Sequence, residues 1–72
     1  MDIQPERPAT LRLVATLRPS FLHVCTGFVE QSARAFGLGE REALALTLAA
    51  EELFSYLAEG AAQDQDLRIE CQ

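Results

Sequence analysis

Two short runs of alternating polarity bracket a long stretch of helical periodicity. From Leu11 to Leu17, the residues Leu11, Leu13, Ala15 and Leu17 fall on one side and Arg12, Val14 and Thr16 on the other, the period of a half-buried strand. Leu67, Ile69 and Cys71 alternate in the same way with Arg68, Glu70 and Gln72, which predicts a second strand at the far end. Between them, Leu22, Cys25, Phe28, Val29, Ser32 and Phe36 recur at steps of three and four, predicting an amphipathic helix with Ser20 as its N-cap after Pro19.

Gly37 then supplies a left-handed C′ position, with Leu38 as C″ folding back onto Ala33 in a Schellman ending. Gly39 or Leu38 leads into a second helix, whose first turn carries Glu40 and Glu42 at the positive end of the helix dipole. That helix runs to Gly60. Its spacing puts Leu46, Ala50, Leu53 and Leu57 on one stripe, expected in the core, and Glu52, Ser55, Tyr56 and Glu59 on another. Residues 1–10, with Pro5 and Pro8, read as an extended lead-in, and 61–66 as a polar loop.

The predicted fold class is therefore α+β: a two-layer sandwich in the order β-α-α-β, with a helical hairpin on one face of a small antiparallel sheet. Both strands turn their leucines and Ile69 toward the helices. Two strands leave both sheet edges unpaired, and a small sheet needs about three strands to stand alone. The expectation is that the domain continues beyond residue 72 with further strands, or that copies pair edge to edge as a homodimer.

Composition narrows the chemistry. At 72 residues the chain makes at most one domain, and 49% hydrophobic with 24% charged residues place it among globular proteins. The net charge is -5, and Arg7, Arg12, Arg18, Arg34, Arg41 and Arg68 are scattered, so no positive stripe awaits nucleic acid. With no Lys, a P-loop is excluded. Cys25 and Cys71 read as reduced thiols in apolar segments rather than as a disulfide framework. No run approaches the ~20 apolar residues of a membrane span, and a cytoplasmic address is expected.

Candidate chemistry centres on one helix. His23 and Cys25 point about 200° apart and cannot share a metal ion, and Ser20, Ser32 and Ser55 have only His23 as a possible base, so no metal and no hydrolase set is assigned. Glu51 and Glu52 read most simply as a solvated face, and Tyr56 as a boundary aromatic with its ring against the core and its hydroxyl wet.

The element order, together with Leu46-Thr47-Leu48-Ala49-Ala50-Glu51-Glu52, resembles the first half of a GHKL-type (histidine-kinase-like, Bergerat) ATP-binding domain over about residues 11–72. Within that group the look is closest to the anti-sigma-factor serine kinases. The resemblance implies a general-base role for Glu52 and a nucleotide-site rim at Glu51, Ser55 and Tyr56. It departs at Tyr56, where the family carries the Asn that binds magnesium, and at Gly60, where many relatives carry a His. A phenol is a poor hard-cation ligand, so ATP and Mg are expected only if later residues complete the site.

The resulting expectation is a regulatory protein-interaction domain with a degenerate ATP site, whose partner is a sigma factor or an anti-sigma antagonist. Two alternatives stand beside it. One is the N-terminal part of an active serine kinase with Glu52 as base; the other is a self-associating module without nucleotide.

Overall fold

The computed structural model of the protein describes residues 9–60 and 65–72. The order is β1 (Leu11–Thr16), a short 3-10 turn (Pro19–Phe21), α1 (Leu22–Ala35), α2 (Glu40–Gly60) and β2 (Asp66–Cys71). The strands pair antiparallel from Leu11↔Cys71 through Leu13↔Ile69 to Thr16↔Asp66, and the helices pack on one face of this ribbon, giving the expected α+β sandwich. α1 lies against both strands, and α2 lies against α1. The shortest extent, 14 Å in 41 × 28 × 14 Å, has room for only these two layers.

The alternation read in the sequence sorts the sheet faces as expected except at the start of β1, where Leu11 is exposed. Leu13 and Ala15 of β1, with Leu67, Ile69 and Cys71 of β2, are half-buried under the helices, whereas Arg12, Val14, Arg68 and Glu70 face outward. On that outer face Arg12 Nε lies 3.3 Å from Glu70 Oε1, and Arg68 Nη1 lies 3.8 Å from the same oxygen. The Thr16 hydroxyl donates to Asp66 Oδ1 at 3.5 Å. β2 starts at Asp66, inside the segment expected to be loop, because this pairing with Thr16 extends the ladder to it. The rest of that loop, 61–64, and most of the lead-in, 1–8, lie outside the described residues.

The connection between the helices closes as the sequence predicts. Gly37 adopts φ +90°. The Leu38 N–H donates to the Ala33 carbonyl at 3.0 Å and the Gly37 N–H to the Arg34 carbonyl at 3.0 Å, the two bonds of a Schellman motif. Gly39 is the cap of α2, its carbonyl accepting from the Ala43 N–H at 2.9 Å. Glu42 Oε2 stands 2.6 Å from where a Cβ would sit on Gly39, so this carboxylate folds back over the first turn.

Two expectations are corrected. Ser20 does not cap α1: Pro19 starts a 3-10 turn, the Phe21 N–H bonds to the Arg18 carbonyl at 2.8 Å, and the helix begins behind Phe21 with no side-chain cap. The preset φ of Pro19 favours that tight turn and carries Ser20 into it.

The second correction concerns α2. Leu46 and Leu53 are 44% and 57% exposed, and the stripe turned inward is Ala43, Thr47, Ala50, Phe54 and Leu57. Ala43 is fully buried and Phe54 nearly so. They face Cys25, Thr26, Val29, Ser32 and Ala33, the buried residues of α1, across a seam of mostly small side chains. The Thr47 hydroxyl, at the seam's edge, returns to the Ala43 carbonyl at 2.7 Å. A helix apolar on nearly every side from Ala43 to Ala50 does not fix its inward stripe by composition, and the short turn decides it.

Two glycine substitutions should act in opposite directions. Gly37→Ala forces a β-carbon into the left-handed region and should cost about 1–2 kcal/mol. Gly27→Ala, inside α1 with nothing within 4 Å of the added carbon, should gain about 0.5–1 kcal/mol. Urea unfolding of the two variants checks both signs.

Candidate functional site

Residue spacing places the expected site on one face of α2. Glu52 follows Ala43 by nine residues, and at about 100° per residue this turns it roughly 180° from the buried seam. Glu51, Glu52, Ser55, Tyr56 and Glu59 line one shallow, open depression on the solvent side of the helix. The structure thus brings the candidate base Glu52 together with the candidate rim residues Glu51, Ser55 and Tyr56. No other secondary-structure element contributes to this depression.

That geometry limits its chemistry. Three carboxylates line the face and no basic side chain does, so a phosphate there would meet repulsion with no positive charge to offset it. Tyr56 is 74% exposed, which corrects the expectation that its ring rests on the core. The position lies about 140° from Ala43 around the helix, where Tyr56 borders a second shallow depression shared with Leu17 and Gln65. His23 is exposed while Cys25 is buried, so they lie in different environments. Among the described residues no group of three His, Cys, Asp or Glu is placed to hold a metal ion.

A second concave feature escaped the sequence reading. Between α2 and the end of β2 opens an apolar groove of about 420 Å³, walled by Leu46 and Leu53 of α2 and Val29 and Ala33 of α1, with Ile69 and Cys71 of β2 on its strand side. The signal was present in the sequence, because α2 carries more leucine than one buried stripe can use. Assigning Leu46 and Leu53 to the core hid it.

Comparison with protein-family models, with curated proteins and with solved structures gives no match in any of the three. The resemblance to GHKL-type domains rests on the element order and on the Glu51-Glu52 helix alone. Among the described residues no helix is long and apolar enough to cross a membrane.

The two free thiols differ in environment: Cys25 is buried in the seam, and Cys71 is half-buried at the groove. Burial raises the Cys25 thiol above its ordinary range by desolvating the thiolate. The ionised form is thus disfavoured in the fold but not in the unfolded chain. Stability linked to this thiol is intact below the unfolded value of about 8.5 and is lost as pH rises through the folded value. A thiol-exchange reagent should label Cys71 in the native chain and reach Cys25 only at the rate of opening. Cys25→Ala should flatten the alkaline decline of the unfolding midpoint.

Proposed function

We propose that this chain is a regulatory protein-interaction domain, related to the anti-sigma-factor serine-kinase-like ATP-binding fold, that works in the cytoplasm without binding ATP on its own. One observation carries the reading: Leu44, Leu46, Leu48 and Leu53 of α2 are each between 44% and 58% exposed. A helix so widely apolar is normally covered, and here two exposed apolar strips, Leu46 with Leu53 and Leu44 with Leu48, flank the buried stripe, the kind of exposure that marks recognition surfaces. The acidic depression supports the same reading. Its carboxylates favour a basic protein surface over a nucleotide phosphate, and Tyr56 occupies the place where the resembling kinases bind magnesium through Asn. A sigma factor or its antagonist is the partner class that the resemblance implies.

Calorimetric titration of the chain with Mg-ATP tests this directly. The expected result is no heat of binding up to millimolar nucleotide. Micromolar binding, with turnover on a partner serine that Glu52→Gln abolishes without unfolding the chain, would establish the kinase reading in its place.

A further inference from the structure

The edge of β1 that faces away from β2 is open, and the surface around it is complementary to itself. The Leu17 N–H donates to the Gln65 carbonyl at 2.7 Å, which marks 17 and 65 as a hydrogen-bonded pair in the ladder register. Alternation along an antiparallel ladder makes 15/67, 13/69 and 11/71 the other bonded pairs. The N–H groups of Arg12, Val14 and Thr16, with the carbonyls of Arg12 and Val14, therefore point to an edge with no strand on it among the described residues. The Thr16 carbonyl already accepts from the Arg18 N–H at 2.8 Å.

Apolar side chains flank this edge on both faces of the sheet. On the outer face Val14 is 57% exposed, and on the helical face Leu11 is exposed at the start of the strand. Val24 precedes Ala33 by nine residues, which turns it roughly 180° from Ala33 around α1, with Phe28 and Ala35 on the same stripe. Ala33 borders the groove on the β2 side, so this stripe looks out over the β1 edge. Val24 is 54% exposed and Phe28 half-buried.

The two edges differ in the room above them. Antiparallel pairing by two-fold symmetry puts the helices of both copies on one face of the joined sheet. At the β2 edge, α2 reaches out over the groove beside Ile69 and Cys71, and the helices of a second copy would fall in that same space. At the β1 edge only α1, which lies against both strands, has to be accommodated. Two ribbons side by side are centred two strand spacings apart, about 10 Å, which is the packing distance of a pair of helices.

We propose that the chain forms a two-fold symmetric dimer through β1, with Val14 of each copy opposite Val14 of the other and α1 packed along its counterpart. The strand order becomes β2-β1-β1-β2, which exceeds the roughly three strands a small sheet needs. The two Val14 residues exchange a pair of backbone bonds, and each Thr16 N–H donates to the Arg12 carbonyl of the other copy. Leu11 lies opposite Leu17 and Leu13 opposite Ala15, apolar against apolar. Arg12 lies opposite Thr16, whose hydroxyl donates to Asp66, so the guanidinium stands in a row between its own Glu70 and Asp66 of the other copy. A slip of two residues one way sets Arg12 against Arg18, and the other way carries Leu17 past the end of the facing strand. This assembly goes beyond the recognition reading and does not depend on it, because the groove and the acidic face of α2 stay open.

Sedimentation equilibrium of the full chain, with amide hydrogen exchange followed by NMR, tests both the assembly and its edge. At millimolar chain the expected mass is twice that of the monomer, with exchange at Val14 and Thr16 at least fivefold slower than in dilute chain and exchange at Arg68 and Glu70 unchanged. Val14→Glu sets like charges against each other at the two-fold axis while each lies beside Arg68 of its own copy, so this variant should stay folded and monomeric. Val24→Glu, at an exposed position of α1, should weaken association at least fivefold. A monomer at millimolar concentration overturns the proposal, and so does a dimer whose protection falls on Arg68 and Glu70 instead of Val14 and Thr16. Association of Val14→Glu as tight as that of the unaltered chain would do the same. Nucleotide binding is read separately by the Mg-ATP titration.

Discussion

The turn at Gly37 governs the rest of the molecule. One residue in the left-handed region lets the Leu38 and Gly37 N–H groups close onto the last carbonyls of α1, so the chain reverses within a few residues. With so little slack, α2 must return along α1. The side of α2 that reaches it first is the one carrying Ala43, which is why the smallest side chains rather than the leucines fill the seam. Ser32, Ala33 and Cys25 on the facing helix are equally small, and the two backbones can approach closely. Phe54 then closes the far end of the interface, a burial worth about 2–3 kcal/mol.

That choice has a consequence on the other sides of α2. Once the alanine stripe is turned inward, Leu46 and Leu53 fall on one flank and Leu44 and Leu48 on the other, where neither α1 nor the sheet covers them. The sheet cannot make up the difference, because two strands are narrower than the helical pair above them. The groove beside Ile69 is the space left between a wide roof and a narrow floor. Exposed leucines, an open strand edge among the described residues and a concave apolar wall thus have a common origin, and together they support the proposed role in recognition.

The acidic face contributes differently. Glu52 and its neighbours are held by one helix and open to water, so their carboxylates form a negative surface rather than a converging site. A base acting on a bound substrate needs groups from several elements around it. On α2 those groups would have to come from outside the described residues. A surface of this kind can steer and orient a basic partner, an effect that acts at longer range than the apolar contacts of the groove.

Local patterns in the sequence were sufficient for much of this. The alternation of Leu11 to Leu17 and of Leu67 to Cys71 assigned both strands and their faces, because side-chain direction in a strand depends only on position. Gly37 and Leu38 specified the helix ending through their own backbone geometry. The grouping of Glu52, Ser55, Tyr56 and Glu59 followed from helical spacing alone. The sequence could not show which stripe of α2 faces inward, whether Tyr56 touches the core, or that Leu46 and Leu53 border a groove. Those depend on where another element lies, and in a helix apolar on nearly every side only the short turn and the close fit of small residues decide it.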